Sequence, residues 1–358
     1  MAVTSSITRA ATRATQAQGA TATRRAGQAA LRLHVPKPGH QLDEIRRTLG
    51  HLQAEQRRHA VQELQGVVAA ERGMLLQKGA ETRVMLHDMP TGKGTAVLLH
   101  GWSAAPWQYD EMAPELYKLG YDVYIPRLPG HGLRTAAGKA DPSQLPKAGE
   151  SHLYRDFADT IYDQVKRLGG PIHLVGLSGG GNVALDIATR HPDVARVVAL
   201  APFLNIPGKA EDVLPRVIDA ADTVLLGKSV SVLDQIPWNW GKDAVRTVGY
   251  HEFKLGNITS IRRYGMAVGD HLAKNRVPTQ YVTTATDAAA SSKAIGRLFE
   301  RGAPAQTGWF EFPAAANVPH PMIAPPNNPD PASRQRIIGI VKDFLETGRP
   351  VGTGPQAR

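Results

Sequence analysis

The stretch Ile172-His173-Leu174-Val175-Gly176-Leu177-Ser178-Gly179-Gly180-Gly181-Asn182 decides how this chain is read. Its first half is a short apolar run of the kind that forms a buried strand. Its second half opens a helix expected over 181–191. Between them lies G-x-S-x-G, a serine flanked at two positions on each side by glycine, in a strand–turn–helix context. A turn this tight strains the backbone of the serine, and its neighbours two positions away must lack side chains. The hydroxyl then projects at the C-terminal edge of a sheet. The helix behind it directs backbone N–H groups at developing negative charge. A plain glycine-rich turn or a nucleotide-binding loop is the alternative, but neither G-x-x-x-x-G-K-[ST] nor G-x-G-x-x-G fits this segment.

Working outward, strands are expected at 83–87, 95–100, 121–126, 172–177, Val197–Leu200, Thr279–Thr284 and Trp309–Phe312. Helices are expected near 108–119, 152–168, 181–191 and 332–346. This alternation predicts an α/β fold, a mostly parallel sheet flanked by helices. It is interrupted at about 205–275, where an amphipathic stretch (Val213, Leu214, Val217, Ile218, Ala221, Val224, Leu225) and the turn Pro237-Trp238-Asn239-Trp240 point to a helical cap insertion. Upstream, 41–78 is helical in composition. Leu42, Ile45, Leu49 and Leu52 recur there at helical spacing, as in a surface helix packed on the core or on a neighbouring subunit. The expected organisation is a basic, disordered arm at 1–40, a helical segment at 41–80 and the α/β domain at 81–358, with the cap inside it.

Composition narrows the chemistry. The chain has no cysteine, which excludes disulfides, zinc–thiolate sites, iron–sulfur clusters and thiol catalysis within it. No apolar run approaches a membrane-spanning length, so a soluble protein without a transmembrane segment is expected. The net charge is +10, and residues 1–42 carry six basic side chains and no acid. The body is only mildly basic, so no nucleic-acid partner is read from the charge. The arm reads as solvated chain, as an organellar transit peptide, or as a charged docking segment; it lacks the apolar core of a secretory signal. A cytoplasmic location is the expectation.

A serine needs a base, and the base needs an orienting group. Of 13 histidines, only His320 lies beyond residue 271, just past the last strand, with Pro319 and Pro321 on either side. The acid belongs at the end of the preceding strand. Asp287 is the only acid between Asp270 and Glu300, and its other reading is the N-cap of a helix at 288–299. An acyl-transfer site also needs two backbone donors for an oxyanion. Gly179, after the serine, supplies one. The loop His100-Gly101-Trp102-Ser103 supplies the other, from Trp102 first and Ser103 second. His100 and His131 read as histidines that tie loops down. Trp102, Trp107, Trp238 and Trp240 either line an apolar pocket or pack the cap.

These pieces, together with Pro126-Arg127-Leu128-Pro129-Gly130-His131-Gly132 and His320-Pro321-Met322, resemble α/β hydrolases of the monoacylglycerol lipase and carboxylesterase type over about 95–345. The resemblance implies an α/β-hydrolase fold and a serine esterase or lipase acting on a small-molecule ester or lipid. It also implies a mobile cap and no cofactor or metal. Catalytic Ser178, Asp287 and His320 with oxyanion donors Trp102 and Gly179 are the expected site. A thioesterase or acyltransferase on the same residues, or a non-catalytic scaffold, is the alternative. Two features depart from the pattern: glycine at 179, where a larger residue such as Met or Gln is common, and the Pro/Ala-rich loop at 313–320.

Overall fold

The computed structural model describes residues 38–207, 232–239 and 249–352. They fall into two units, one ending at Gly50 and one running from His51. Helix α1 spans Pro38–Glu71. In the first unit Leu42, Ile45 and Leu49 are more than half exposed, and so is Leu52 at the start of the second. The packed side chains of α1 begin with Arg57, Ala60 and Leu64.

The helix expected to continue to residue 78 stops at Glu71 because its next residues are used elsewhere. The buried Glu71 carboxylate accepts from Thr82 N–H (2.6 Å), Thr82 Oγ1 (3.0 Å) and Arg127 Nε (2.9 Å). Gln77 N–H then donates to Gly132 O at 2.8 Å, and Leu76 bridges Leu133. A second buried pair, Arg57 Nη2 to Asp122 Oδ2 at 2.8 Å, fixes the same helix. Deleting one partner of such a pair strands the other charge.

The second unit is built on a seven-stranded sheet of order β1-β3-β2-β4-β5-β8-β9. The strands are β1 (Arg83–Met85), β2 (Thr95–Leu99), β3 (Asp122–Ile125), β4 (Ile172–Leu177), β5 (Arg196–Leu200), β8 (Thr279–Thr284) and β9 (Thr307–Phe312). β1 pairs antiparallel with β3; all other pairings are parallel. Alternate residues serve opposite faces, as the two-residue period of a strand requires. Val97, Leu174 and Val197 pack with helices α3 (His152–Lys166) and α4 (Gly179–Arg190). Leu98, Val175 and Val198 pack with α2 (Met112–Lys118) and α7 (Pro331–Thr347). Both faces are covered, which is why the strands read as continuous apolar runs. Each fully buried Val or Leu contributes about 1.5–3 kcal/mol.

The sequence predicted a helical insertion at about 205–275. Helix α5 (Leu255–Gly269) lies within it, and so does a two-stranded antiparallel ribbon of β6 (Pro237–Asn239) and β7 (Glu252–Lys254). The amphipathic stretch from Val213 to Leu225, Trp240 and residues 1–37 of the basic arm lie outside the described residues, while 38–40 already belong to α1. Helix α6 (Lys293–Glu300) precedes β9. Among the described residues no helix is long and apolar enough to cross a membrane.

Candidate active site

Ser178 sits between β4 and α4 with φ 55° and ψ −119°, a left-handed conformation that a serine adopts only under constraint. The constraint is visible in its bonds. Its N–H donates to Leu200 O at 2.8 Å and its carbonyl accepts from Phe203 N–H at 3.2 Å. The flanking glycines are required by contact. A Cβ at Gly176 would lie 2.3 Å from Gly180 O, and one at Gly180 would lie 2.1 Å from Leu99 O.

Asp287 follows β8 and His320 follows β9, neighbouring parallel strands, so their loops emerge side by side. His320 Nδ1 and Asp287 Oδ2 are 2.8 Å apart. The other oxygen, Oδ1, accepts from Ala289 and Ala290 N–H, each at 2.8 Å. Asp287 thus serves the imidazole and holds a turn with different atoms. It is not a helix N-cap, because the helix expected at 288–299 begins only at Lys293; Ser291 N–H is drawn instead to Asn205 O at 2.9 Å. Burial pushes the Asp287 carboxyl up, but the adjacent His320 and the three hydrogen bonds outweigh it and hold the carboxyl below its usual range.

Ser178 and His320 line one cavity of about 430 Å³, together with Gly101, Trp102, Gln108 and Tyr250. The Ser178 hydroxyl makes no hydrogen bond among the described residues. A larger depression of about 670 Å³, lined by Asp270, Arg276 and Arg297, shares no residue with this cavity. Among the described residues no group of three or more His, Asp or Glu is placed to hold a metal ion.

The loop after β2 is held from three sides. Gly101 N–H donates to Gln108 Oε1 at 2.7 Å. Gly101 O accepts from Ala104 N–H at 3.1 Å and from His100 Nδ1 at 2.9 Å. A trans peptide points its carbonyl and N–H in opposite directions. Anchoring Gly101 O therefore aims the Trp102 N–H the other way. The Ser103 N–H, the other candidate donor, is spent on His131 Nε2 at 3.0 Å. Ser103 itself is left-handed, with φ 65°. Gly179 opens α4, where first-turn N–H groups have no intrahelical acceptor. A Cβ at Gly179 would lie 3.3 Å from Trp102 N and 2.8 Å from Trp102 Cβ. The departure at position 179 is thereby explained: Trp102 occupies the space a larger side chain would need.

His100 and His131 are struts. His100 Nε2 accepts from Leu128 N–H at 3.0 Å, which leaves the proton on Nδ1. His131 accepts at Nε2 and so carries its proton on Nδ1, 2.9 Å from Pro129 O. Burial holds both neutral: His100 is pushed well below the usual imidazole range, and His131 to about 4. The segment returning from the insertion adds a clamp that the sequence did not signal. Tyr250 N–H donates to Ser103 O at 2.7 Å, while its hydroxyl donates to Gly130 O and accepts from Leu133 N–H, both at 2.8 Å.

Of the three described tryptophans read as pocket candidates, Trp102, Trp107 and Trp238, Trp102 alone lines this cavity. Its indole N–H donates to Tyr154 Oη at 2.9 Å, and its ring packs edge-on against Phe253. Trp107 is buried with Ala80, Ala105 and Ala324, and Trp238 is 45% exposed. Gln108 was missed because nothing in its local sequence marks it; only its contact with Gly101 does.

Residues 96–331 match the alpha/beta hydrolase family. Over 145 residues the chain is 28% identical to the thermostable monoacylglycerol lipase of Bacillus sp. (strain H-257), covering 38% of this chain and 54% of that protein. Over 125 residues it is 33% identical to a pimeloyl-[acyl-carrier protein] methyl ester esterase of Neisseria meningitidis, covering 35% of this chain and 43% of that protein. The chain thus spans about half the length of the curated relatives it matches. The fold is shared with the Paleococcus ferrophilus monoacylglycerol lipase, with TM-score 0.55 and 17% identity over 74% of this chain and 99% of that one. A Saccharomyces cerevisiae monoglyceride lipase gives TM-score 0.55 and 15% identity over 77% and 94%. With the family match extending from β2 through the insertion to both loops that carry Asp287 and His320, this chain belongs to the alpha/beta hydrolase family.

Proposed function

We propose that this protein is a serine hydrolase that cleaves carboxylic esters through an acyl-enzyme on Ser178. The observation that carries the reading is the His320–Asp287 hydrogen bond at the mouth of the cavity that Ser178 lines. With Nδ1–H donated to Asp287, the His320 lone pair is on Nε2, the nitrogen a serine hydroxyl must meet. Ser178 Oγ adds to the ester carbonyl carbon while Nε2 takes its proton. The carbonyl oxygen, now negative, accepts from the Trp102 and Gly179 N–H groups. The C–O bond to the alcohol then breaks, and the alcohol leaves with the proton from His320. A water molecule, deprotonated in turn by His320, adds to the acyl carbon. Ser178 departs with that proton, and the carboxylic acid is released. The ionised Asp287 stabilises the imidazolium in both halves.

The relatives named above act on monoacylglycerols and on a methyl ester, which supports an ester of modest size or a lipid as substrate. The test is hydrolysis of p-nitrophenyl esters from acetyl to palmitoyl, with wild type beside Ser178→Ala. Turnover that the substitution lowers by about 10⁴-fold or more supports the reading, and the chain-length profile sizes the pocket. A folded wild type inert on every ester, but active on acyl thioesters or acyl acceptors, moves the same residues to another acyl chemistry. Inertness throughout, with no labelling by a fluorophosphonate, makes the chain a non-catalytic scaffold.

A further inference from the structure

Gln108 is a polar side chain in the cavity wall that the mechanism above leaves unused. It is 4% exposed, in a short 3-10 turn seven residues after Gly101. Its Oε1 accepts the Gly101 N–H at 2.7 Å. A backbone N–H can only donate, so this bond settles which end of the carboxamide faces Gly101 and which is left over. Among the described residues the Nε2 end has no hydrogen-bond partner. Nε2 is not one of the enclosed unpaired atoms of the fold, so its two N–H bonds are open to an acceptor in the cavity, water or a bound molecule.

The location is informative. A Cβ built on Gly101 would lie 3.2 Å from Gln108 Oε1, 3.6 Å from Nε2 and 3.7 Å from Leu177 Cδ2. The carboxamide therefore lies against the residue that precedes Trp102, close to the residue that precedes Ser178. It sits one position away from both the candidate oxyanion donor and the candidate nucleophile. The wall beside it is largely apolar, with Leu177, Phe203 and Ala104. In such surroundings one placed donor discriminates between substrates that differ in one oxygen.

We propose that Gln108 Nε2 is a specificity-determining donor that hydrogen-bonds an oxygen of the bound ester other than the scissile carbonyl. The substrate class that follows is an ester with an ether or hydroxyl oxygen a few atoms from the carbonyl, on either its alcohol or its acyl half. The proposal rests on the ester-hydrolase reading above.

Two pairs of esters that differ by one oxygen-for-methylene exchange test it. On the alcohol side they are 2-methoxyethyl butanoate and butyl butanoate; on the acyl side, ethyl 3-methoxypropanoate and ethyl pentanoate. The quantity read is the ratio of kcat/KM within each pair. Gln108→Met removes both the acceptor for Gly101 and the donor. Gln108→Glu keeps the acceptor and donates only when protonated. The expected result is a fall of about tenfold in the ratio for one pair in Gln108→Met. The pair that responds identifies the half of the ester that carries the oxygen. In Gln108→Glu the ratio is low near pH 9 and rises as the pH is lowered, a dependence absent from wild type. An equal loss on all four esters, with ratios within about twofold of wild type in both variants, means that Gln108 only positions the loop, and overturns the proposal. A wild type that hydrolyses none of the four esters yet turns over p-nitrophenyl esters overturns this proposal alone, and one inert on those as well overturns the ester reading with it. If wild type turns them over and Ser178→Ala does not, the ratios alone decide.

Discussion

Replacing Gly179 by alanine tests the geometry of the site with a single methyl group. The new Cβ would meet Trp102 Cβ at 2.8 Å, whereas carbon atoms in contact sit about 3.5–4.0 Å apart. The two must separate by about 0.7 Å or more. Trp102 cannot retreat freely, because Tyr154 holds its indole N–H and Phe253 lies against its ring. The displacement therefore passes to the Gly101–Trp102 peptide, whose N–H is the proposed oxyanion donor. Misplacing such a donor by this amount is expected to lower kcat/KM by about 10- to 100-fold, or about 1.4–2.7 kcal/mol of transition-state stabilisation. Net stability should fall by between about 0 and 2.6 kcal/mol. Overpacking costs about 1–3 kcal/mol, and removing a glycine returns about 0.4–1 kcal/mol through the unfolded chain. The assay is kcat/KM on p-nitrophenyl butyrate, normalised to sites titrated with a fluorophosphonate, beside urea unfolding. A variant within about threefold of wild type in kcat/KM would refute the reasoning, since a donor that tolerates this clash is not held by the contacts described.

Asp287→Asn keeps an oxygen for the Ala289 and Ala290 N–H groups but offers His320 an amide in place of a carboxylate. The fold should survive, and kcat should fall by about 10⁴-fold as the imidazole loses its tautomer and its counter-charge; a loss below about tenfold would remove Asp287 from the mechanism. The buried histidines set an acid limit on stability. Folded His100, His131 and His173 resist protonation, the last two down to a pKa of about 4, whereas an unfolded histidine takes a proton near 6.5. The unfolded state therefore binds more protons as the pH falls, and stability should drop progressively from about pH 6.5 toward pH 4. Denaturant unfolding at several pH values checks this, and a stability that stays flat across that window contradicts the neutral state of these buried histidines.

Much of this protein is legible in its sequence because the deciding constraints are local. The strand–turn–helix around Ser178 is written in adjacent residues: an apolar run, then glycines at the positions where a Cβ would strike backbone at 2.1–2.3 Å. Chain order alone ranked Asp287 and His320 as partners, since each follows a strand of the same parallel sheet and neighbouring strands bring their following loops together. Other features were decided only by contacts between distant segments. The end of α1 at Glu71 depends on Thr82 and Arg127, and the delayed start of α6 depends on Asn205. Local propensity favours helix in both places, and a tertiary hydrogen bond overrides it. The bond that takes up the Ser103 N–H and leaves Trp102 as the candidate donor comes from His131, 28 residues away from Ser103. The clamp from Tyr250 and the orientation of Gln108 exist only once the loops have met. A sequence specifies what each residue can donate, accept or bury, whereas which acceptor it finds is a property of the folded chain.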